Sequence, residues 1–204
     1  MRQATFADPR MRPALSIGQS ECWMAPEILL ITGAAGVGKS TASWEISEEL
    51  KRRGLAHALI DTDELDRVWP RPSDEMRQRQ LDVGNLASWW SRYEELGIPR
   101  LVLAGVFLDL DAAVGWITEA IPRGEIRAVR LVVSADGLRA RVERREIGSA
   151  GAAQLSRSLK QRAFIEAHPR PDETVIDTGN LSVTEVAVRM CDLMGWNAES
   201  TANG

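Results

Sequence analysis

The chain has 204 residues, the length of one domain that can bury a central sheet covered on both faces. Its formal net charge of −4 argues against a nucleic-acid-binding protein, which would carry a surplus of basic residues. No apolar run approaches the roughly 20 residues that span a bilayer. The only cysteines, Cys22 and Cys191, lie far apart and predict neither a disulfide nor a metal cluster, and Cys191 is expected in the core. We therefore expect a cytoplasmic protein whose partner is a small molecule, without a nucleic acid or a membrane.

The two ends of the chain are predicted to lie outside the domain. Residues 1–24 contain prolines and arginines without a sustained hydrophobic period, which is typical of a flexible extension. Met24 is a second candidate for the start of the chain, and the arginine content is also a feature of transit peptides, although no amphipathic helix accompanies it. We predict the domain over residues 25–197 and a flexible tail over residues 198–204.

Residues 33–40 read GAAGVGKS and form a complete phosphate-binding loop, or P-loop. The loop directly follows the apolar run 28–31 and precedes a predicted amphipathic helix. Its glycines let successive backbone N–H groups turn toward a phosphate at the positive end of that helix. Lys39 is placed to reach the β and γ oxygens of a nucleotide, and the hydroxyl of Ser40 to bind Mg²⁺. The predicted nucleotide-binding residues are Gly33, Ala34, Ala35, Gly36, Val37, Gly38, Lys39, Ser40 and Thr41.

Strands and helices are predicted to alternate along the rest of the chain. Apolar runs predict further strands over 56–60, 100–106, 126–133 and 174–177. Helical spacing predicts helices over 41–50, 112–121, 138–146, 152–166 after a glycine-rich break at 148–151, and 183–194. A further helix is predicted to start within residues 73–76 and to run to residue 95, with an interruption near Gly84. Such alternation is typical of a three-layer α/β/α domain with a five-stranded parallel sheet and right-handed crossovers. Ligands of this architecture bind at the carboxyl ends of the strands.

Two acids, Asp61 and Asp63, follow the predicted second strand and should lie on the same rim as the P-loop. A carboxylate there can accept the proton of an attacking hydroxyl, or orient Mg²⁺ through water. The alternative is that Asp63 only caps a short helix. We predict Asp61 as a support of the metal and Asp63 as a catalytic residue.

An arginine-rich helix precedes the glycine-rich break and predicts a lid over about residues 141–160. Arg141 and Arg145 are four residues apart, and therefore share one helix face. Guanidinium groups on a closing lid can bind γ-phosphate oxygens and exclude water. The alternative is a solvated helix in which Glu143 and Glu146 pair with the arginines. Arg157 and Arg162 are weaker candidates.

Gly105, at the end of the third predicted strand, either lets a substrate approach the backbone or serves close packing. Asp109 and Asp111 are interpreted as loop and cap residues. No acid follows the apolar run of the third strand. This counts against the class of NTPases in which an Asp or Glu ends that strand.

The aromatic and histidine residues give weaker indications. Trp69 follows the acidic turn, and its flat ring is predicted near an acceptor. His57 and His168 have no partner acid at a telling spacing and are interpreted as structural. The remaining tryptophans of the predicted domain are expected in the core, and they are Trp44, Trp89, Trp90, Trp116 and Trp196.

The P-loop, the acidic turn and the arginine-rich helix together resemble the small P-loop kinases of metabolites, such as gluconate kinase, shikimate kinase, adenylylsulfate kinase and chloramphenicol phosphotransferase. The Asp61-Thr62-Asp63 turn looks like the Asp-x-Asp turn of the first three, and residues 63–70 resemble the chloramphenicol enzyme, which favours Asp63 as the base. Leu138, Arg141 and Arg145 look like the arginine-bearing face of the lid helix. The resemblance covers residues 26–195 and implies a nucleoside-kinase-like fold with a helical lid. No glycine triplet like that of shikimate kinase follows the third strand.

We therefore predict an enzyme that moves the γ-phosphate of ATP, with Mg²⁺, to a hydroxyl of a small-molecule acceptor. Lys39, Asp63, Arg141 and Arg145 are the predicted catalytic residues, and Ser40 and Asp61 the predicted metal ligands. Two alternatives stay open at this point. One is a nucleotide-dependent switch without an acceptor, which the lack of an Asn-Lys-x-Asp motif disfavours. The other is a nucleoside or nucleotide kinase.

Overall fold

A computed structural model describes residues 25–145 and 149–198 of the chain. Five strands form one parallel sheet in the order β2-β3-β1-β4-β5. The strands are β1 Glu27–Thr32, β2 Ala58–Asp61, β3 Arg100–Ala104, β4 Glu125–Val132 and β5 Thr174–Asp177. The central strand β1 is buried from Ile28 to Thr32, because its apolar residues face helices on both sides of the sheet. The predicted five-stranded parallel sheet is confirmed.

Helices cover both faces of the sheet. They are α1 Lys39–Arg52, α2 Glu75–Glu95, α3 Leu110–Ala120, α4 Ala135–Arg145, α5 Ser149–Ala167 and α6 Val183–Leu193. One apolar cluster joins the sheet to α1, α4 and α6, with Ile46, Val142 and Cys191 among its members. A second cluster on the opposite face joins the sheet to α2 and α3 through Leu86 and Ile117. The result is the predicted three-layer domain, with Cys191 in its core as expected.

Several predicted boundaries differ from the structure by one to three residues. Helix α2 is continuous through Gly84, because this residue lies on the solvent side where no packing requires a break. Strand β3 ends at Ala104, so the apolar residues that follow it belong to a loop. Helix α5 begins at Ser149, and the predicted break therefore does not extend to Gly151. Residues 146–148, and the predictions for residues 1–24 and 199–204, lie outside the described residues.

The tryptophans divide between the core and the surface. Trp90 and Trp196 are buried, and Trp116 packs against the ring of Phe107 with a centroid separation of 6.2 Å. The core prediction is wrong for Trp44, which is 63% exposed, and for Trp89, which is 37% exposed. Trp44 lies two residues from both inward-facing positions Ala42 and Ile46, and a two-residue step places a side chain on the opposite face of a helix.

Within the described ranges, none of the helices is both long enough and apolar enough to cross a membrane.

Candidate nucleotide-binding site

The P-loop connects β1 to α1 and has a conformation that its glycines permit. Gly33, Gly36 and Gly38 have φ values of +137°, +83° and +106°, a region that residues with a Cβ rarely adopt. A Cβ on Gly33 would lie 2.5 Å from the carbonyl oxygen of Leu131, and one on Gly36 would lie 2.7 Å from Val142. The loop is therefore packed closely between the end of β4 and helix α4.

The first turn of α1 is well suited to bind an anion. Gly38 is its N-cap residue, no side chain caps the helix, and no acid lies in the first turn. The backbone N–H groups at this end keep their hydrogen-bonding capacity, and the helix dipole favours negative charge there. These features fit the phosphate chain of a nucleotide.

Lys39 is the first residue of α1 and is 9% exposed. Its Nζ donates hydrogen bonds to the carbonyl oxygens of Gly33, at 3.0 Å, and Ala34, at 3.1 Å. Burial lowers the pKa of Lys39 from 10.5 to about 8, although the carboxylates of Asp63 and Asp61 act in the opposite direction. The ammonium is therefore held against the first carbonyl groups of the P-loop, with both acids within electrostatic reach.

The acidic turn after β2 is tied to the P-loop helix. Ser40 Oγ donates a hydrogen bond to Asp61 Oδ2 at 2.9 Å, while Asp61 Oδ1 accepts from the backbone N–H of Asp63 at 3.1 Å. Asp61 is thus the N-cap of the 3-10 turn Thr62–Glu64. The alternative that Asp63 acts as this cap is wrong, because the preceding acid already satisfies the turn. Among the residues that the structure describes, the Asp63 carboxylate makes no hydrogen bond or ion pair.

The pair Ser40 and Asp61 fits the chemistry of Mg²⁺, which prefers hard oxygen donors and shares them with nucleotide phosphates. The described residues contain no group of three or more histidine, cysteine or acidic side chains that could hold a metal ion by itself. A metal at this position would therefore depend on phosphate oxygens and water for its other ligands.

The two predicted lid arginines have different surroundings. Arg141 Nη1 donates to the carbonyl oxygen of Val37 at 2.7 Å and to Thr178 Oγ1 at 2.9 Å, and its Nη2 donates to the carbonyl oxygen of Thr178 at 2.9 Å. Its guanidinium therefore links the P-loop to the segment after β5. Arg145 lies one helical turn further along α4, close enough to Lys39 to lower the pKa of that ammonium.

All the predicted catalytic and metal-binding residues line one cleft of about 920 Å³ beside the P-loop. They are Lys39, Ser40, Asp61, Asp63, Arg141 and Arg145. The cleft is cationic on the side of α4 and α5, where Arg144 and Arg157 also line it, and acidic at the end of β2. This distribution suits a polyanion next to the lid and a proton-accepting group on the opposite side.

The end of β3 brings the acidic turn close to the P-loop. A Cβ on Gly105 would lie 2.2 Å from Thr62 Oγ1 and 2.8 Å from the ring of Phe107. Gly105 therefore serves the close packing of the acidic turn, which was one of its two predicted roles.

Beyond the acidic turn, Trp69 is 91% exposed and does not line the cleft. Arg71, two residues later, does line it and forms an ion pair with Asp66. The Asp66 carboxylate also accepts a hydrogen bond from Gln78 Nε2 at 2.8 Å. Sequence reasoning missed Arg71, because an arginine in a proline-containing loop has no distinctive spacing.

The residues interpreted as structural have structural contacts. Asp109 caps α3 through the N–H of Ala112 at 2.9 Å, and Asp111 pairs with Arg170 at 3.1 Å. His57 Nε2 lies 2.8 Å from Ser47 Oγ. His168 Nδ1 lies 2.8 Å from the carbonyl oxygen of Phe164.

A second residue that sequence reasoning missed is Gln161 in α5. Its side-chain oxygen accepts a hydrogen bond from the backbone N–H of Ala35, in the P-loop, at 3.0 Å. A glutamine in an amphipathic helix carries no pattern that would have indicated this contact.

No protein-family model and no curated protein matches the chain. Solved structures do match its fold. A sugar kinase from a Janibacter species has a TM-score of 0.59 at 19% identity, covering 88% of this chain and 99% of that one. A gluconokinase from Sinorhizobium meliloti has a TM-score of 0.54 at 19% identity, covering 86% and 95%. The Mycobacterium tuberculosis APS kinase, solved with AMPPNP and APS, has a TM-score of 0.55 at 16% identity, covering 84% and 98%.

The fold of this chain is therefore that of the small-molecule P-loop kinases. The resemblance inferred from its motifs is confirmed at the level of the fold.

Proposed function

We propose that this protein is a kinase that transfers the γ-phosphate of ATP, with Mg²⁺, to a hydroxyl group of a small molecule in the cytoplasm. The observation that carries the proposal is the convergence of Lys39, Asp63 and Arg145 on one cleft at the P-loop. Asp63 has the decisive position, because a carboxylate without a hydrogen-bond partner among the described residues is available to a substrate hydroxyl.

The P-loop side of the cleft would hold the nucleotide. The amides at the start of α1 and the Lys39 ammonium bind the phosphates, which replace the loop carbonyls as partners of Nζ. Ser40 and Asp61 would hold Mg²⁺, which neutralises charge on the phosphate oxygens. The acidic turn lines the same cleft, so Asp63 would face the terminal phosphate of a nucleotide bound in this orientation.

Transfer forms a bond between the acceptor oxygen and the γ-phosphorus and breaks the bond between that phosphorus and the β–γ bridging oxygen. ADP is the leaving group, and the hydroxyl proton passes to the Asp63 carboxylate. Arg145 donates hydrogen bonds to the transferring group, whose charge spreads over its outer oxygens. Arg141 supports the transfer by holding the carbonyl of Val37, and thereby the loop, in place.

The known structures support a hydroxyl acceptor without defining it. Two of the three similar proteins are named as kinases of sugars or gluconate, and the third was solved with an ATP analogue and APS bound together. Each is under 20% identical to this chain, so the acceptor has to be found by experiment.

The experiment incubates the protein with Mg²⁺, γ-labelled ATP and separate panels of sugars, sugar acids, nucleosides, amino alcohols and hydroxylated antibiotics. We expect label in one class of organic product. We expect the Asp63→Asn variant to bind ATP within about twofold of the wild type while transfer falls by about 10²-fold or more. Transfer by that variant at the wild-type rate would remove Asp63 from the base role. Release of label only as inorganic phosphate would favour the nucleotide switch.

A further inference from the structure

Gln161 makes a direct contact between α5 and the P-loop. Its Oε1 accepts the N–H of Ala35 at 3.0 Å, although the two residues are 126 positions apart in the chain. Gln161 also lines the cleft that contains Lys39 and the acidic turn. A side chain outside the P-loop therefore occupies one amide of a loop whose amides bind phosphate.

The position of Gln161 is fixed by packing. It lies three residues after Ser158 and four before Ile165, both of which are buried, so all three share the inward face of α5. Helix α5 is attached to the sheet by Arg130, which donates to the carbonyl oxygen of Ile165 at 3.1 Å and pairs with Glu173 at 2.8 Å. Gln161 is therefore presented to the loop by an anchored helix.

The chemistry of the carboxamide defines what this side chain can still bind. Because Ala35 is a donor, the oxygen of Gln161 is the atom that faces it, and the two N–H groups of Nε2 remain. Nε2 has no hydrogen-bond partner among the described residues. The group next to the loop is thus a neutral double donor whose orientation the loop itself sets, and an anionic phosphate oxygen is the complementary acceptor.

We propose that Gln161 contacts the terminal phosphate of the nucleotide and determines the preference for a triphosphate over a diphosphate. The inference rests on the proposed function, since it requires that the P-loop binds ATP. Oε1 holds the loop amide of Ala35, and Nε2 donates to an oxygen of the γ-phosphate. ADP lacks that phosphate and makes only the contacts that the rest of the loop provides.

Two substitutions separate this role from simple support of the loop. Gln161→Glu keeps an oxygen that can accept from Ala35, but it removes both donors and adds a negative charge. Gln161→Ala removes the oxygen and the donors together. Ser156→Ala, on an exposed position of the same helix, is the matched control.

The experiment measures the affinity of each purified full-length variant for AMPPNP and for ADP, both with Mg²⁺, by isothermal titration calorimetry. The melting temperature without nucleotide checks folding. We expect Gln161→Glu to weaken AMPPNP binding by about tenfold or more, as for a lost hydrogen bond to a charged group, while ADP binding changes by less than about threefold. Gln161→Ala should show the same selective loss, smaller in size, and Ser156→Ala no change.

Wild-type preference for AMPPNP in Gln161→Glu, or equal losses for the two nucleotides, would overturn this inference and leave the proposed kinase activity standing. A wild-type protein that binds neither nucleotide would overturn the proposed function itself. The two failures are therefore distinguishable.

Discussion

Ser40 and Asp61 are joined by a hydrogen bond of 2.9 Å between the first turn of α1 and the end of β2. The other oxygen of the same carboxylate accepts the N–H of Asp63, so one side chain connects helix α1 to the turn that carries the second acid. Asp61 is therefore the cap that orients the acidic turn, and we propose that the same carboxylate also binds the metal.

We predict that Asp61→Asn raises the Mg²⁺ concentration needed for half-maximal activity by about tenfold, because an amide oxygen is a weaker ligand than a carboxylate. The amide oxygen can still accept the Asp63 N–H, so the turn should persist. Titration of activity with Mg²⁺ at saturating ATP checks this prediction. Asp74→Asn, at the N-cap of α2 and outside the cleft, is the control. An unchanged Mg²⁺ requirement would contradict a metal role for Asp61.

We predict that nucleotide binding takes up a proton above about pH 8, where the Lys39 pKa of the ligand-free protein lies. Burial lowers this pKa, so free protein loses the ammonium as the pH rises through about 8, whereas bound phosphates stabilise the ammonium and raise its pKa. ATP affinity should therefore fall as the pH increases from 8 to 9.5. Calorimetry at pH 8.5 in buffers of different ionisation enthalpy measures the uptake directly. Binding without proton uptake at that pH would contradict the expected coupling.

The lowered pKa of Lys39 also affects stability in a defined direction. The unfolded chain, with the ordinary pKa of 10.5, binds more protons than the folded one between about pH 8 and that value. The contribution of Lys39 to the free energy of unfolding should thus increase as the pH rises through this interval. Comparison of wild type with Lys39→Met isolates it, since the variant cannot titrate there.

Replacing Arg141 and replacing Arg145 by alanine are predicted to affect different properties of the protein. Arg141→Ala removes three hydrogen bonds to Val37 and Thr178, so we expect a lower melting temperature, by about 2–4 °C for each kcal/mol lost, and equally weakened ATP and ADP binding. Arg145→Ala should lower the transfer rate by about a hundredfold, and by more than it weakens the binding of ADP. Melting curves and steady-state kinetics distinguish the two, with the exposed Arg139→Ala on the same helix as control. If Arg141→Ala lowered the transfer rate but changed neither the melting temperature nor nucleotide binding, Arg141 would not act by holding the P-loop in place.

The buried ion pair of Arg130 and Glu173 should be important for stability. Both side chains are less than a tenth exposed, so Arg130→Met leaves an uncompensated buried carboxylate and should cost about 3–5 kcal/mol. The double variant with Glu173→Gln should recover part of this loss. Arg79→Met, which breaks an exposed pair with Glu119, should change the free energy of unfolding by less than about 1 kcal/mol. Urea denaturation provides these values, and equal effects at the two pairs would contradict the assigned role of burial.

Local sequence patterns were sufficient for much of the fold and of the site. The P-loop and the strand that precedes it are contiguous, and Asp61 and Asp63 could be placed because parallel strands end on one rim. The surface position of Trp44 could also have been predicted from its two-residue spacing relative to the inward-facing Ala42 and Ile46.

Contacts between distant segments could not be predicted in the same way. The bond from Arg141 to Val37 joins residues 104 positions apart, and the one from Gln161 to Ala35 joins residues 126 positions apart. Both depend on how α4 and α5 dock against the loop. No spacing within a single helix determines that docking.

The most direct test of the central claim is to follow the γ-phosphate of ATP by ³¹P NMR, with Mg²⁺ and the hydroxyl compound that the panel identifies. We predict that a phosphate-ester resonance grows at the rate at which ATP is lost and ADP forms. We also predict that Lys39→Ala slows this conversion by orders of magnitude. Appearance of the γ-phosphate only as inorganic phosphate, with every hydroxyl compound unchanged, would contradict the assignment of this protein as a kinase.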